Sequence, residues 1–473
     1  MTTYSLTLRE EHLEVLRAHL LRPDGDEHVA YVLCSRADIR FDPWDQQAHQ
    51  KFLGYTVIPV SDDQIIESTP NLVTWQTTSF LSALKKASLN DQVIAIIHNH
   101  PSGQRQFSEQ DNCNELDLLE LAVKRLGPNT QILSMILLPD GTLLGRIWLH
   151  PNPNGHTNLR MIRVIGDMFR LHYQGRRDSM TAAAFDRQAL AFGQALNRDL
   201  ATLRIGIIGC GGTGSAVAML LARLGVGQIV LFDNDIVDRT NLNRLHGARQ
   251  ADADAMRPKV EVVARSITEL GLGVRVVPIE AWVGDPGCRD ALRSCDLLFG
   301  CTDDNEGRLF LNRLAFFYLI PVIDVGLAID VSHAEIPEVK SLDGRVTVVM
   351  PPYVCLSCRG VIDHVAARDE ALRRSNPAEY ERRKAEAYVA GEGDPRPAVV
   401  TFTTEVATMA VNEMLHRLQG FRGPSGAVAQ RVRKFHLGED FRPGSRRTSG
   451  CRICDDPAIW GKGDIDPFLD RVD

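Results

Sequence analysis

Two histidines and an aspartate stand at spacings typical of a metal site. His98 and His100 alternate at the end of VIAIIH, a buried-strand pattern, so both imidazoles face one side of the strand. Asp111 lies in the first turns of a predicted helix and can turn back to the same point. Two imidazoles and a carboxylate leave a fourth position for water, the arrangement of a catalytic zinc ion. Zinc makes that water a nucleophile near neutral pH, which predicts hydrolysis.

A zinc-bound water also needs a general base. Glu27, just before a predicted strand, is the preferred candidate. Its rivals are Asp24, Asp26 and Glu67. The alternative interpretation is a structural histidine pair at a strand end, followed by Ser108 as an ordinary helix N-cap.

Four glycines between a predicted strand and a predicted helix form a loop suited to phosphates: Gly209, Gly211, Gly212 and Gly214. Glycine lets the backbone approach phosphate oxygens, and the helix N-terminus favours their negative charge. Such a loop alone first suggests a nicotinamide or flavin cofactor. Asp233, at the end of the second predicted strand, is placed to accept hydrogen bonds from ribose hydroxyls under either interpretation.

Charged and polar residues around this loop favour a triphosphate with Mg²⁺ over a dinucleotide. They are Arg187 ahead of the loop and Asp235, Asn241, Arg244, Lys259 and Asp303 after it. The cations suit phosphates, and a carboxylate at the end of an apolar strand suits the metal ion. A hydride-transfer site would not need so many phosphate-binding charges. The alternative is that these residues are scattered surface charges.

Four of the ten cysteines form two CxxC pairs: Cys355 with Cys358, and Cys451 with Cys454. Paired CxxC motifs in a cytosolic chain predict a structural zinc ion. Such an ion would tie the C-terminal tail to the preceding domain. Redox activity is the alternative, although one CxxC would suffice for it.

Composition predicts a soluble cytosolic protein of several domains. The 473 residues correspond to roughly three domains of ordinary length. The net charge of -7 gives no sign of a nucleic-acid binder. The polar start lacks a signal-peptide core, and charged residues and a proline interrupt the most apolar stretch, which argues against a membrane span.

Strand and helix patterns divide the chain into two folded regions of α/β class. Residues 1–150 predict an α+β domain with helices at 7–21, 78–88 and 108–126, strands at 28–35 and 93–98, and the hairpin QILSMILL–TLLGRIWL. Residues 151–180 predict a linker, because HPNPNGHTN has loop composition. Residues 181–473 open with a helix near 182–199, then strand, glycine turn, helix and strand. That order starts a doubly wound sheet.

The metal pattern resembles the JAMM motif of JAB/MPN isopeptidases: H-x-H, seven residues, Ser, two residues, Asp. The resemblance covers roughly the first 150 residues. It implies zinc held by His98, His100 and Asp111. It further implies Glu27 as the acid/base and Ser108 as a group that helps to hold the tetrahedral oxyanion.

The order of motifs from GIIGCGGTG to CTDDNEGR resembles the ThiF/MoeB family and the adenylation domains of ubiquitin-activating enzymes. The resemblance covers about 181–473 and implies a Rossmann-like adenylation domain with a four-cysteine zinc knot. The glycine loop would cradle ATP, Asp233 would bind ribose, and Arg244 and Lys259 would hold phosphates. Asp303 would bind Mg²⁺, and Arg187 would reach the ATP of a partner subunit across a homodimer interface. One departure is that Asp304 stands where the family has Asn, so Asp304 could share or replace Asp303 as the metal ligand.

Together the two resemblances imply an enzyme that adenylates the C-terminal glycine of a ubiquitin-like protein and cleaves behind that glycine. An alternative is sulfur-carrier activation, in which the first domain clips the carrier. A distant third is a non-enzymatic scaffold. If the protein is a ubiquitin-like modification enzyme, a conjugating enzyme is a further expected partner. The segment 359–400 contains no cysteine, so the sequence does not support a thioester step, and Ser375 is a weak substitute. The polar segment 368–397 is expected to be a solvated helix or a mobile crossing loop.

Overall fold

The computed structural model describes residues 2–151, 155–174, 183–332, 336, 338–385 and 397–465. Strands in the first part are β1 Thr3–Arg9, β2 Val29–Ile39, β3 His49–Pro59, β4 Ile65–Thr69, β5 Leu72–Trp75, β6 Val93–Asn99, β7 Gln131–Leu137, β8 Leu143–Leu149, β9 His156–Asn158, β10 Met161–Ile165 and β11 Arg170–Tyr173. Helices there are α1 Glu10–Leu20, α2 Thr77–Leu89 and α3 Glu109–Leu126.

Nine of these strands form one mixed sheet in the order β11-β10-β1-β3-β2-β6-β7-β8-β9, and β4 and β5 form a separate hairpin. Helix α1 packs on one face of the sheet through its leucines, and α2 and α3 cover part of the other. β6 is buried along its whole length, as its continuous apolar run predicts. The end of this buried strand carries the histidines.

The second part contains β12 Arg204–Ile208, β13 Gln228–Phe232, β14 Arg275–Ile279, β15 Leu297–Gly300, β16 Val322–Val331, β17 Val339–Val349, β18 Gln430–Lys434 and β19 Glu439–Phe441. Its helices are α4 Asp186–Thr202, α5 Gly212–Arg223, α6 Gln250–Asp254, α7 Lys259–Glu269, α8 Arg289–Ser294, α9 Asn305–Phe317, α10 His364–Ser375, α11 Pro377–Ala385 and α12 Val400–Gln419.

These strands form a second sheet in the order β14-β13-β12-β15-β16-β17-β18-β19. The first five strands are parallel, and the remainder add on antiparallel. The order reverses beside β12, which is the switch point of a doubly wound sheet, where ligands bind at the carboxyl ends of the strands. The predicted α/β class is confirmed, and the antiparallel extension is an addition that the sequence did not reveal.

Most predicted elements are present with small shifts in their bounds. The hairpin is β7 and β8, and the predicted helix at 108–126 is α3, with Ser108 as its N-cap. The helix predicted at 7–21 begins only at Glu10, because the preceding residues extend as β1. The polar segment from 368 is helical as α10 and α11 up to Ala385, and 386–396 lie outside the described residues.

The predicted linker at 151–180 is wrong for most of its described residues. β9, β10 and β11 lie in this range, and β10 pairs in parallel with β1 over five residues. The segment MIRVI, which is apolar except for Arg163, is fully buried there and closes the edge that β1 would otherwise expose. Loop composition in the preceding residues concealed this strand.

Buried charged side chains join the two sheets. Arg204, at the start of β12, pairs with Asp42 in the loop that follows β2, and Arg163 of β10 pairs with Asp296. Lys51 of β3 donates to the carbonyl oxygen of Cys295 at 2.7 Å. Because each of these groups has a partner, the contact between the two parts has a specific register.

No helix among the described residues is long and apolar enough to cross a membrane.

Candidate functional site

The predicted metal ligands of the first domain lie together. The Nε2 atoms of His98 and His100 are 3.0 Å apart, and the Asp111 carboxylate oxygens lie 3.3 Å from His98 Nε2 and 3.6 Å from His100 Nε2. Ligands at about 2.0–2.1 Å from a tetrahedral zinc ion stand about 3.3 Å from each other. The three side chains therefore fit one zinc ion, with a position left for water.

Neighbouring groups orient these ligands. His100 Nδ1 lies 3.0 Å from the carbonyl oxygen of Gln104, which fixes the tautomer that directs Nε2 toward the metal position. Asp111 also accepts a hydrogen bond from the amide of Ser108 at 2.6 Å. Its carboxylate thus belongs both to the helix cap and to the metal cluster.

Glu27 is the only one of the four base candidates that lines the cavity beside the metal ligands. This cavity holds about 410 Å³ of empty space and is also bordered by His98, Ser108 and Asp111. Glu27 is buried, and burial raises the pKa of its carboxyl above the usual range. A carboxyl with a raised pKa next to a zinc-bound water suits proton transfer near neutral pH. Asp24 and Glu67 are exposed, and Asp24 instead contacts His28.

Asn99 holds Glu27 in place, a role that sequence reasoning missed. Its side-chain oxygen accepts from the amide of His28 at 2.6 Å, and its nitrogen donates to the carbonyl oxygen of Asp26 at 3.0 Å. The sequence contained a signal for this role. Asn99 lies between two alternating histidines, so its side chain must face the opposite side of the strand from them.

Ser108 caps α3, as the structural alternative predicted. Its hydroxyl accepts a hydrogen bond from the amide of Asp111 at 3.1 Å. The Asp111 carboxylate in turn accepts from the Ser108 amide, which completes a capping box. Ser108 also borders the cavity, and a hydroxyl that accepts one hydrogen bond keeps a proton to donate.

The four motif cysteines form one cluster. Cys355 Sγ lies 3.8 Å from Cys451 Sγ, and Cys358 Sγ lies 3.7 Å from Cys454 Sγ. Sulfurs at about 2.3 Å from a tetrahedral zinc ion stand about 3.8 Å apart, so the spacing fits zinc and excludes disulfides. Although burial opposes it, hydrogen bonds from Thr448 lower the pKa of Cys358 to about 7, which favours the thiolate that zinc needs.

The glycine loop turns between β12 and α5 with no room for side chains at its crossing points. A Cβ at Gly214 would stand 1.7 Å from the carbonyl oxygen of Gly209, and Gly209 itself has a φ of 87°. A Cβ at Gly212 would meet Arg244 at 3.2 Å, whereas one at Gly211 meets nothing within 4 Å in the described part of the chain. The first turn of α5 has no side-chain cap, so its amides are available to phosphate oxygens.

Asp233 connects this loop to the residues after β13. Its carboxylate accepts from the amides of Cys210 at 2.6 Å and Asp235 at 2.8 Å, and burial raises its pKa. Lys259, the first residue of α7, pairs with Asp235 at 2.7 Å. The structure thus brings the ribose and phosphate candidates to the same edge of the sheet.

Two other candidates have local contacts, and a third lies on α4. Asn241 accepts from the amide of Asp238 at 3.1 Å in a capping arrangement. Arg244 donates to the carbonyl oxygen of Thr240 and packs beside Gly212. Arg187 is exposed near the start of α4. The predicted contact of Arg187 with another subunit stays a prediction.

Asp303 and Asp304 have different environments. The Asp304 carboxylate caps α9 by accepting from the amide of Gly307 at 2.6 Å, and it also accepts from Thr302 and Trp282. Asp303 is exposed at the carboxyl end of β15. Exposure at the end of the strand lets a metal ion approach the Asp303 carboxylate.

Comparison with known proteins identifies both parts. A model of the ThiF family matches residues 185–452, more than half of the chain. The chain belongs to the ThiF family. A model of prokaryotic homologs of the JAB domain matches residues 9–143. The protein is therefore a JAB domain fused to a ThiF domain, as the sequence predicts.

Curated relatives match part of the chain. The chain is 30% identical over 159 residues to the SAMP-activating enzyme E1 of Haloferax volcanii, covering 34% of this chain and 54% of the relative. It is 32% identical over 161 residues to the molybdopterin-synthase adenylyltransferase of Escherichia coli, covering 33% and 58%. The chain thus spans about half the length of these relatives.

Coverage is wider for the sulfur carrier protein ThiS adenylyltransferase of E. coli, at 27% identity over 277 residues, 57% of this chain and 94% of the relative. Among solved structures, E. coli MccB with ATP matches at 17% identity and a TM-score of 0.43, covering 59% of this chain and 76% of that one.

Proposed function

We propose that this protein activates a ubiquitin-like or sulfur-carrier protein by adenylating its C-terminal glycine, and that its JAB domain hydrolyses the bond behind that glycine. The observation that carries the first activity is the gathering of the glycine loop, Asp233, Lys259 and Asp303 at the carboxyl edge of the ThiF sheet. Family members are adenylyltransferases by name, which supports the same reaction.

In the adenylation reaction, the partner's terminal carboxylate attacks the α-phosphorus of ATP and diphosphate leaves. The amides of the glycine loop and the first turn of α5 bind phosphate oxygens, and Asp233 accepts from the ribose hydroxyls. Lys259 and Arg244 supply positive charge for the phosphates, with Asp235 and Asn241 placing them. Asp303 would hold Mg²⁺, which neutralises charge on the leaving diphosphate.

A homodimer would complete this site. Arg187 is exposed on α4, next to Leu190, whose side chain is 89% exposed. We propose that Arg187 enters the phosphate site of a second copy of the chain, where its positive charge assists departure of diphosphate.

In the hydrolytic reaction, His98, His100 and Asp111 would hold a zinc ion that polarises the scissile carbonyl and lowers the pKa of its water. Glu27 takes the proton from the attacking water and returns it to the leaving amine. Ser108 donates its hydroxyl proton to the oxyanion that develops on the carbonyl oxygen. Asn99 keeps Glu27 against the histidines.

A cleavage assay tests the JAB domain. A ubiquitin-fold protein extended beyond its terminal glycine should be cut after that glycine, and a chelator should stop the reaction. The His98→Ala variant should be inactive and the Glu67→Gln variant should keep full activity, because Glu67 does not border the cavity. Unchanged cleavage by His98→Ala would refute the metal assignment.

The fate of the adenylate has two candidate answers, one with a conjugating enzyme as acceptor and one with a sulfur donor. The absence of cysteine from 359–400 argues against a thioester on this segment. Ser375 is a weak alternative, since its hydroxyl donates to the carbonyl oxygen of Ala371 at the end of α10. The ThiS adenylyltransferase match, which spans 94% of that relative, favours the sulfur route.

Mass spectrometry of the partner after incubation with ATP distinguishes these answers. A thiocarboxylate formed with a sulfur donor supports the carrier route, and transfer to the thiol of a conjugating enzyme supports the modification route. An unmodified partner would contradict both.

A further inference from the structure

Helix α10 lies against the start of α9, the helix that follows Asp303. The Glu370 carboxylate of α10 accepts from the amide of Glu306 at 2.8 Å and from the side-chain nitrogen of Asn305 at 3.3 Å. In return, Asn305 accepts from the amide of Asp363, the N-cap of α10, at 3.0 Å. Each helix therefore fixes the beginning of the other.

Arg374 makes a second connection one turn further along α10. Its guanidinium forms a two-point ion pair with Glu306 and stacks 3.7 Å above the ring of Trp282. Trp282 in turn donates from Nε1 to the Asp304 carboxylate at 3.4 Å. A stacked guanidinium with a two-point carboxylate contact is a directional connection, which a flexible lysine would not supply.

These contacts fix the residues that directly follow the proposed metal ligand, Asp303. Asp304 is fixed by Gly307, Trp282 and Thr302, and Asn305 and Glu306 are fixed by α10. Asp303 precedes this fixed turn directly, so its backbone position depends on the turn. A carboxylate ligand gains affinity when its backbone is held in the binding geometry beforehand.

We propose that Glu370 and Arg374 are positioning residues that hold Asp303 in place for the Mg²⁺ of bound ATP. Neither residue needs to touch the nucleotide. Helix α10, in the segment between the first CxxC pair and α12, would then set the geometry of the metal ligand. This inference rests on the proposed adenylation function.

A nucleotide-binding experiment separates this role from a general structural one. Affinity for Mn²⁺–ATP and for metal-free ATP is measured by calorimetry on the full chain, with Mn²⁺ as the probe of the magnesium site. Glu370→Ala and Arg374→Ala should bind Mn²⁺–ATP about tenfold more weakly and metal-free ATP unchanged. Glu370→Gln, which keeps an acceptor oxygen, should recover part of the loss. Arg368→Ala, an exposed position on the same helix, is the matched control and should bind as wild type.

Hydrogen exchange at the amide of Glu306 gives a second readout that does not depend on nucleotide. Exchange should be faster in Glu370→Ala than in Arg368→Ala, because the acceptor of this amide is gone. Should Glu370→Ala fail to fold, Arg374→Ala and Arg374→Lys carry the comparison of Mn²⁺–ATP with metal-free ATP.

The outcomes also distinguish the inference from the function beneath it. If wild type binds no Mn²⁺–ATP, the adenylation proposal itself fails. If Asp303→Asn loses metal-dependent affinity but Glu370→Ala and Arg374→Ala do not, the positioning role is overturned while the function stands. Equal weakening of metal-free and metal-bound ATP would also overturn the positioning role.

Discussion

Gly214 lies where the glycine loop folds back on itself, so a side chain there would clash with the backbone. Gly211, three residues earlier, has space for a side chain. A Cβ at Gly214 would overlap the carbonyl oxygen of Gly209, whereas one at Gly211 meets no atom of the described residues within 4 Å. The loop therefore depends on glycine at one position for its own folding. At the other, any need for glycine would come from the ligand.

We expect Gly214→Ala to lower the free energy of unfolding by about 1–3 kcal/mol or more, the usual cost of forcing atoms into a packed site. Gly211→Ala should unfold like wild type. Urea denaturation of the two variants measures the difference. Equal stability of both would show that the loop does not cross as described.

A buried histidine gives a pH prediction at the same scale. His12 of α1 is buried, and this burial, with the nearby Arg9 guanidinium, lowers its pKa to about 3. An unfolded-state histidine titrates near its usual pKa of about 6.5. Between these values the unfolded state binds the proton and the folded state does not, so stability falls as pH falls.

Between pH 7 and pH 5 this histidine alone should remove about 2 kcal/mol of stability. The His12→Gln variant, which does not titrate there, should lose correspondingly less over the same interval. Unfolding free energies of both proteins at the two pH values test this. A parallel loss in both would place the acid sensitivity elsewhere.

At the scale of elements, the sequence predicted well what local chemistry decides. β6 and α3 follow from an apolar run and a capping serine, and together they bring His98, His100 and Asp111 to one point. The glycine loop was placed for the same reason, since strand, turn and helix are contiguous. These sites depend on short stretches of chain.

Long-range pairing decided the features that the sequence missed. β10 lies behind a loop-like stretch and finds its partner β1 more than 150 residues earlier, so no local pattern identified it. The contact of Glu370 with the start of α9 likewise joins residues 64 apart. The polar pattern of 368–397 left a solvated helix and a mobile crossing loop as alternatives, and it did not indicate that α10 would pack against the start of α9.

The cysteine cluster joins the loop after β17 to the tail after β19. Together with the histidine site, it predicts the zinc content of the protein. Wild type should contain one zinc ion at the cysteines and one at the histidines. His98→Ala and Cys454→Ser should each lose one, and only Cys454→Ser should unfold at clearly lower denaturant concentration, because structural zinc contributes to folding. Elemental analysis with urea denaturation measures both. An unchanged zinc content in either variant would contradict the corresponding site.

At the scale of the whole molecule, the two domains meet through paired charges as well as apolar packing, in which Trp44, Leu53 and Ile165 join the core of the ThiF domain. Arg204 and Asp42 each have only 2% of the side chain exposed. The tail after the cysteine cluster adds to the contact, since Asp464 accepts from the amide of Asp38 and pairs with Arg293. Such pairs fix one docking arrangement because any other would leave charges buried alone.

Removing the arginine of this contact should therefore lower the free energy of unfolding strongly. Arg204→Ala should lower the free energy of unfolding by about 3–5 kcal/mol, because it removes the partner of the buried Asp42 and also the pair with Asp45. The double variant Asp42→Leu with Arg204→Met should recover most of the loss. Chemical denaturation of the three proteins checks this, and a double variant no better than the single one would contradict the pairing argument.

The central claim is that the ThiF domain activates the C-terminus of a ubiquitin-fold protein with ATP. ATP–pyrophosphate exchange measures that step directly. Exchange should require a ubiquitin-fold partner with an intact terminal glycine, should vanish when that glycine is removed, and should be lost in Asp303→Asn but kept in His98→Ala. Exchange that persists in Asp303→Asn, or that does not depend on the partner's terminal glycine, would contradict the account.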